Sequence, residues 1–183
     1  MKRIIVVHQW MSGVDGDWRP WLKTELIELG YEVFVPEMPN IDNPVIEKWV
    51  SKLAEVVGIP DQNTYFIGHS IGCQTIIRYL ETIKTTIGGA IFVAGWFNLN
   101  NLENVQVEEI AKPWIETPID FGKVKDVCPN IDVLLSNNDM YGYVEENKKT
   151  FEEKLGADVL VLENRGHFTE DDGITQIPEI LSV

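Results

Sequence analysis

Short apolar runs alternate along the chain with longer segments in which apolar residues recur every three or four positions. Residues 4–7 are β-branched and apolar on both faces, which predicts a strand buried within a parallel sheet. Residues 18–29 carry apolar side chains at helical spacing, and Gly30 follows where glycine commonly ends a helix. The same patterns predict further strands over residues 32–35, 64–67, 90–94, 132–135 and 159–162, and further helices over residues 46–57, 73–83, 144–155 and 174–181.

Strands that alternate with helices of this length predict βαβ units, and hence a parallel sheet covered by helices on both faces. The expected fold class is therefore α/β, a three-layer α/β/α sandwich around a six-stranded parallel sheet. A chain of 183 residues lies within the size range of one domain, so we expect residues 1–183 to form a single domain.

Residues 96–127 interrupt this alternation. They contain many polar residues, two prolines, no clear strand, and more aromatic side chains than a solvated linker usually has. We interpret this stretch, called the excursion below, as a minimal cap or binding loop over the carboxyl edge of the sheet. In that case Trp96 and Trp114 are the candidate substrate contacts. The alternative is a meander that covers exposed core.

The composition narrows the classes of partner. A formal net charge of −14 repels phosphate backbones and anionic lipid surfaces, so we expect neither a nucleic acid nor a membrane partner. Cys73 and Cys128 are too few for a disulfide framework, and their spacing is not that of a metal site. The apolar run at residues 4–7 is shorter than the core of a signal peptide, and no stretch reaches the roughly 20 apolar residues of a membrane span. These features predict a cytoplasmic protein without a metal or a cofactor.

A predicted strand-to-helix junction carries the sequence Gly68-His69-Ser70-Ile71-Gly72. The pattern G-x-S-x-G is typical of a nucleophile elbow, a sharp turn that holds a serine in a strained conformation above the sheet. Glycine is required on both sides because the turn brings backbone segments too close together for a Cβ atom. We therefore predict that Ser70 is the nucleophile of a serine hydrolase.

A serine hydroxyl is a poor nucleophile unless a base removes its proton, and the chain has only three histidines. His69 is adjacent to the serine, so its side chain points the wrong way for proton transfer. His8 ends the first strand and is better suited to shaping the adjacent loop. His167 follows the last strand and a glycine, which is where this architecture places its base, so we predict that His167 is the base.

The base requires an acid that orients it and stabilises its protonated form. Asp139 lies just past the fifth predicted strand, at the carboxyl edge of the sheet where Ser70 and His167 are also expected. The order Ser70, Asp139, His167 is the one expected for α/β-hydrolases. Of the other acids, Asp132 lies at the opposite end of the same strand, and residues 170–172 are better explained as a solvated acidic face.

A tetrahedral intermediate also needs backbone amides that stabilise its oxyanion. One donor is expected from Ile71, directly after the nucleophile, at the start of a predicted helix whose dipole favours negative charge. The second donor is expected from the loop after the first strand, where Gln9 and Trp10 are the two candidates.

Several motifs together resemble those of the compact serine hydrolases that include the retinoblastoma-binding serine hydrolase and bacterial YdeN-like proteins. They span nearly the whole chain: Trp18-Arg19-Pro20-Trp21-Leu22-Lys23, Met38-Pro39, Gly68-His69-Ser70-Ile71-Gly72, Pro113-Trp114, Ser136-Asn137-Asn138-Asp139 and Gly166-His167-Phe168. The resemblance implies a truncated α/β-hydrolase fold that lacks the first two strands of the full fold. It also implies a triad of Ser70, Asp139 and His167, and activity towards esters or small acyl substrates.

The leading hypothesis is a carboxylesterase that cleaves a small ester through an acyl-enzyme on Ser70. Two alternatives stand beside it. One is a non-catalytic binding module that uses the aromatic excursion as its contact surface. The other is a thioesterase or peptidase with the same triad, which would differ only in the shape of its pocket.

Overall fold

The computed structural model describes residues 1–182, in which one six-stranded sheet is covered by helices. The strands are Arg3–Val7 (β1), Glu32–Phe34 (β2), Thr64–His69 (β3), Gly89–Val93 (β4), Ile131–Ser136 (β5) and Asp158–Leu162 (β6). The α-helices are Arg19–Glu28 (α1), Ile46–Val57 (α2), Ile71–Leu80 (α3), Val105–Glu116 (α4), Phe121–Val127 (α5) and Val144–Thr150 (α6). A π-helical turn, Phe151–Leu155, extends α6, and a 3₁₀ turn, Pro178–Leu181, lies near the end of the chain. No helix within residues 1–182 is long and apolar enough to cross a membrane.

All neighbouring strands of the sheet run parallel, in the order β2-β1-β3-β4-β5-β6. The carboxyl ends of β1 and β3 lie side by side, since Val7 pairs with Gly68. The ends of β5 and β6 also meet, with Ser136 opposite Leu162. One edge of the sheet therefore collects the loops that follow these four strands. The predicted α/β fold with six parallel strands is confirmed.

In β1, β3, β4 and β5 the apolar residues alternate between two buried layers. Ile5 and Val7 of β1 belong to one layer, together with Trp49 of α2 and the apolar face of α3. Ile4 and Val6 belong to the other layer, which contains residues of α1 and of the last part of the described chain. The unbroken apolar run in β1 thus reflects burial on both faces of a parallel sheet.

The excursion contains two helices that the sequence did not predict. Asn104 begins α4 and accepts a hydrogen bond from the Val107 amide at 3.1 Å, while Asp120 begins α5 and accepts one from the Lys123 amide at 3.2 Å. Capping side chains of this kind satisfy amides that a helix leaves unpaired at its start. These two capping residues are the sequence signals for the helices. The helical pattern of α4 is obscured by Pro113, which lies inside it.

The predicted helix over residues 174–181 is wrong over most of its length. Only Pro178–Leu181 form a helical turn, of the 3₁₀ type. Ile177 has φ −133° and ψ 79°, because the ring of a proline disfavours the helical conformation in the residue before it. Ile174 and Ile177 are nevertheless buried in the layer that contains α1, so the apolar spacing reflects core packing and not a helix face.

Candidate active site

Ser70 lies at the turn between β3 and α3, in a backbone conformation that is uncommon for any residue except glycine. Its φ is 54° and its ψ is −118°. The turn is held by two backbone hydrogen bonds of 2.9 Å, from the Ser70 amide to the Val93 carbonyl and from the Cys73 amide to the Ser70 carbonyl. Strain of this kind costs on the order of 1–3 kcal/mol and persists only where the surrounding structure imposes it. The packed turn therefore imposes the strained geometry expected of a nucleophile elbow.

Two glycines allow this turn to form. A Cβ atom on Gly72 would overlap the carbonyl oxygen of Val7, at the end of β1. A Cβ atom on Gly68 would lie 2.8 Å from the Cα atom of Cys73, in the first turn of α3. A larger residue at either position would push α3 away from the sheet, so the spacing of the motif follows from the close packing of this helix.

His167 and Asp139 form a hydrogen-bonded pair on the loops that follow β6 and β5. The Nδ1 atom of His167 lies 2.8 Å from Oδ2 of Asp139, and the two side chains are only 6% and 12% exposed. An ionised carboxylate can only accept a hydrogen bond, so Nδ1 carries the proton and Nε2 keeps a lone pair that can accept another. Tyr141 packs edge-on against the imidazole, with ring centroids 4.7 Å apart. The tautomer and the orientation of the ring are thus both set.

The segment that follows β5 holds the histidine loop in place. Asn138 Oδ1 accepts hydrogen bonds from the Gly166 amide at 2.8 Å and from the Ser136 hydroxyl at 2.7 Å. The Ser136 hydroxyl oxygen in turn accepts one from the Arg165 amide at 2.9 Å. These bonds join the two segments beside the carboxylate–imidazole pair, so they keep its two members within hydrogen-bonding distance.

Trp96, which follows β4, contacts the serine directly. Its indole Nε1 donates to Ser70 Oγ at 3.2 Å, and its own carbonyl oxygen accepts from Gln74 Nε2 at 2.5 Å. A serine oxygen has two lone pairs, so this bond leaves the hydroxyl proton available to a base. Ser70, Trp96 and His167 line one pocket of about 90 Å³. The other residues that line it are Gln9, Trp10, Met11, Ile71, Leu99, Leu102, Glu103, Val107 and Tyr141.

Comparison with known proteins places the chain in a family. A model of the serine hydrolase family matches residues 4–183. The chain belongs to this family. The Bacillus subtilis protein YdeN is 26% identical over 184 residues, which cover 100% of this chain and 94% of YdeN. The serine hydrolase RBBP9 of Rattus norvegicus is 25% identical over 167 residues, which cover 91% of this chain and 83% of that protein.

Solved structures share the fold of this serine hydrolase. The crystal structure of the ydeN gene product from B. subtilis has a TM-score of 0.89 at 25% identity, over 100% of this chain and 96% of that chain. Est1E from Butyrivibrio proteoclasticus has a TM-score of 0.72 at 12% identity, over 92% of this chain and 81% of that chain. The predicted resemblance is confirmed, and the family makes this chain a hydrolase with an α/β-hydrolase fold.

The candidate oxyanion donors of this serine hydrolase lie on two sides of the pocket. Ile71 is the first residue of α3, whereas Gln9 and Trp10 lie in the loop after β1. The amide of the next residue, Met11, is already paired with a carbonyl of a neighbouring loop at 3.2 Å. The side-chain amide of Gln9 donates to Asp17 at 2.9 Å, so the candidate oxyanion donor of Gln9 is its backbone amide.

Trp114 does not line the pocket, contrary to its prediction as a substrate contact. It is 1% exposed, its indole donates to the Pro44 carbonyl at 3.1 Å, and its ring packs against Trp49 in the core. Val107, seven residues earlier on α4, does line the pocket. Seven residues separate two side chains on one helix face by about 10 Å along the axis, so one end of α4 covers the pocket and the other covers the core.

The other two histidines are buried supports of the loops. His69 Nε2 lies 2.8 Å from the His167 carbonyl oxygen, and burial lowers the pKa of His69 to about 3, with His167 and Arg19 adding to the effect. The ring of His69 is therefore neutral, donates from Nε2 and leaves Nδ1 unprotonated. His8 accepts at Nε2 from the Met38 amide at 3.1 Å, and burial lowers its pKa as well.

Two acids that the sequence did not single out organise the loops around the pocket. Asp172, expected on a solvated face, accepts a hydrogen bond from the His167 amide at 2.8 Å. Gly166, with φ 54°, passes so close to this carboxylate that a Cβ atom would overlap it. Asp17 is 9% exposed and pairs with Arg19 at 3.0 Å. No local pattern marks either acid, because their function depends on the loops that the fold brings next to them.

The two cysteines are not alternative nucleophiles. Both are free and buried. Burial raises the pKa of the Cys128 thiol to about 12 and also raises that of Cys73, so neither forms a thiolate near neutral pH. Within residues 1–182, no group of three or more His, Cys, Asp or Glu side chains is placed to hold a metal ion.

Proposed function

We propose that this chain is a carboxylic ester hydrolase that forms an acyl-enzyme on Ser70. The observation that carries the proposal is the 2.8 Å hydrogen bond between Asp139 and His167, whose ring lines the same pocket as the strained Ser70. The three side chains supply a nucleophile, a base, and an acid that orients the base. Membership of the serine hydrolase family supports these roles.

In the first half of the reaction, His167 Nε2 accepts the hydroxyl proton as Ser70 Oγ bonds to the ester carbonyl carbon. The carbonyl electron pair moves onto oxygen and forms a tetrahedral intermediate. His167 then gives the proton to the leaving alcohol as the ester C–O bond breaks. In the second half, water attacks the acyl carbon, and its proton passes through His167 back to Ser70 as the acid leaves. Asp139 stabilises the protonated imidazole in both halves.

Two backbone amides stabilise the oxyanion in this scheme. The first is that of Ile71, at the start of α3, where unpaired amides and the helix dipole favour negative charge. The second is that of Gln9 or Trp10, both of which line the pocket. One such donor is typically worth about 2.7–4 kcal/mol in the transition state.

The pocket favours a short, apolar acyl group. Its volume of about 90 Å³ is well below the roughly 300–1,000 Å³ of pockets that hold drug-sized ligands. Leu99, Leu102 and Val107 of the excursion form its apolar side. In this proposal residues 96–127 serve as a minimal cap on a single domain of residues 1–183, and Trp96 positions Ser70 while contacting the substrate.

Chemical labelling and hydrolysis together test the proposal. The purified chain is treated with a fluorophosphonate probe, and hydrolysis of p-nitrophenyl acetate, butyrate and octanoate is measured in parallel. We expect labelling on Ser70 and faster turnover of the two short esters. Ser70→Ala should abolish both, while Ser51→Ala, a matched change at an exposed serine of α2, should leave both unchanged.

Two results would overturn this assignment. Labelling that persists in Ser70→Ala would mean that another residue is the nucleophile. A wild-type chain that neither labels nor hydrolyses any ester, but binds ligands through the excursion, would be a binding module. Equal turnover of the octanoate and the acetate esters would contradict only the proposed preference for a short acyl group, and not the assignment of Ser70 as nucleophile.

A further inference from the structure

We propose that Asp17 is a positioning residue, which fixes the oxyanion loop relative to the histidine loop. The oxyanion loop is residues 8–16, between β1 and Asp17, and the histidine loop is residues 163–172. This inference rests on the proposed function, because it concerns the geometry of the same reaction. Asp17 contacts neither substrate nor reacting atoms in this scheme, so it acts through the residues that it holds.

One oxygen of Asp17 holds the oxyanion loop. Its Oδ2 atom accepts hydrogen bonds from Gln9 Nε2 at 2.9 Å, from Ser12 Oγ at 3.4 Å and from Arg19 Nη1 at 3.0 Å. Arg19 also donates to the Gly13 carbonyl at 2.8 Å, so both halves of the loop are tied to one buried ion pair. The amide end of the Gln9 side chain is thereby held at Asp17, while Gln9 also lines the pocket.

The other oxygen reaches the histidine loop. Oδ1 of Asp17 accepts the Glu170 amide at 3.0 Å, three residues after His167. The elbow is also adjacent, since His69 Nδ1 lies 3.9 Å from Oδ2 of Asp17. His69 in turn donates from Nε2 to the His167 carbonyl at 2.8 Å. One carboxylate thus lies against three of the four segments that carry the proposed catalytic groups, the fourth being the segment of Asp139 after β5.

Asp17 is held in a conformation and a charge state that the surrounding fold imposes. Asp17 has φ 53°, a left-handed conformation that costs a non-glycine residue on the order of 1 kcal/mol or more. Burial by itself would raise the pKa of the Asp17 carboxyl, but the Glu170 amide and the Arg19 guanidinium outweigh burial and hold the pKa below its usual value. The group is therefore a carboxylate at neutral pH and can accept from all its donors at once.

Asp17→Asn separates positioning from substrate binding. An asparagine keeps one acceptor oxygen and replaces the other with an amide that cannot accept, so it cannot hold both loops. Because the oxyanion forms only after attack, we expect kcat to fall about 10- to 100-fold, within the range for a weakened oxyanion donor, with KM changed less than about threefold. Asp15→Asn, a matched change at an exposed acid of the same loop, should leave both constants unchanged.

Inhibitor binding provides a readout that a loss of stability would not produce. An alkyl boronic acid forms a tetrahedral adduct on the serine, whereas the product carboxylic acid binds without one. In Asp17→Asn the inhibition constant of the boronic acid should rise in proportion to the loss of kcat, and that of the product should not change. Equal weakening of both inhibitors, or unchanged kcat, would overturn the positioning role.

Two further variants cover the case in which Asp17→Asn fails to fold because Arg19 is left buried and unpaired. Gln9→Ala cuts the link between Asp17 and the first half of the oxyanion loop but keeps the ion pair, and we expect a kcat loss of about 10-fold at unchanged stability. Asp17→Asn combined with Arg19→Gln removes the unpaired charge. If that double variant regains wild-type kcat, positioning by Asp17 is wrong. Absence of probe labelling on wild-type Ser70 would instead signal failure of the proposed function itself.

Discussion

The pocket is bounded by two walls of opposite character. The polar wall consists of residues 8–17, 68–72, 136–139 and 163–172, and three of its buried side chains, Asp17, His69 and His167, are at most 9% exposed. The apolar wall consists of residues 97–110 of the excursion. Its apolar lining residues Leu99, Leu102 and Val107 are only partly buried, whereas Glu103 and Val105 are exposed. Hydrogen bonds join separate segments of the polar wall to one another. In the apolar wall, hydrogen bonds anchor the first residues to the segment after β5, as from the Phe97 amide to Asn147 and from the Asn100 amide to the Tyr141 carbonyl.

This difference corresponds to two physical requirements. Proton transfer and oxyanion stabilisation depend on direction and distance, so the groups that perform them need buried partners that hold them still. Binding of an acyl chain depends on the apolar area that is buried, because the hydrophobic effect is not directional. Changes in the polar wall should therefore alter kcat, and changes in the apolar wall should alter the preference among substrates.

The largest effect is expected from Asp139→Asn in the polar wall. When the asparagine amide faces His167 Nδ1, the imidazole carries its proton on Nε2 and cannot accept from Ser70. We expect kcat to fall about 10³- to 10⁴-fold with little change in KM, measured on p-nitrophenyl acetate. Asp171→Asn, an exposed acid of the histidine loop, is the matched control. A loss of less than tenfold would exclude Asp139 as the orienting acid.

Acid should destabilise the polar wall through His69. Its pKa is about 3 in the folded chain because of burial, against about 6.5 in the unfolded chain, so the unfolded state takes up a proton first. The free energy of unfolding is therefore highest above about pH 6.5 and falls as the pH drops from there towards the folded value. Between pH 7 and pH 5 this amounts to about 2 kcal/mol for one such group.

Urea denaturation at pH 7 and pH 5 measures this loss. His69→Gln keeps a donor for the His167 carbonyl but cannot titrate, so its loss between the two pH values should be smaller than that of the wild type. The free energy of unfolding of His69→Gln should still fall somewhat between pH 7 and pH 5, since burial also lowers the pKa of His8. Identical losses in variant and wild type would show that His69 does not contribute.

A smaller effect is expected from Trp96→Phe, at the boundary of the two walls. Phenylalanine keeps the aromatic surface but removes the indole donor to Ser70 Oγ. A neutral hydrogen bond is worth about 0.5–1.5 kcal/mol, so we expect kcat to fall about 3- to 10-fold. Trp21→Phe makes the same change away from the pocket. An unchanged kcat would show that the indole does not fix the serine.

The smallest effect is expected from Val107→Ala in the apolar wall. The substitution removes two methyl groups and enlarges the pocket. The ratio of kcat/KM for p-nitrophenyl octanoate to kcat/KM for the acetate should therefore rise about two- to fivefold. The kcat for the acetate should not change. Val105→Ala, on the exposed side of the same helix, is the control, and an equal shift there would contradict the assignment of this wall.

Local patterns predicted much of the fold and some of the site. The helix predicted over residues 46–57 matches α2 at both ends, because its apolar face and the glycine that follows are complete in the sequence. The elbow was recognisable because its two glycines and its serine lie within five consecutive residues. Asp139 and His167 are 28 residues apart, and their hydrogen bond followed from the rule that parallel strands end at one edge.

The errors share a cause. Trp114 was expected in the pocket because it lies in an aromatic stretch, but the direction of α4 carries it into the core. Residues 174–181 were expected to form a helix from their spacing, although burial in the layer with α1 produces the same spacing. In each case a pattern of apolar residues showed that a side chain is buried, but not which neighbours bury it.

By itself, the sequence determined the six strands, most of the helices outside the excursion, the position of the serine turn and the residues available for its chemistry, because each is marked by a pattern of residues close together in the chain. Only the tertiary structure decided how these pieces are held. Asp17 accepts the amide of Glu170, 153 residues away, and the Trp18 indole donates to the Phe168 carbonyl across 150 residues. A buried carboxylate gains its function from donors that folding brings to it. No local sequence pattern can therefore identify Asp17 as the residue that joins the loops around Ser70.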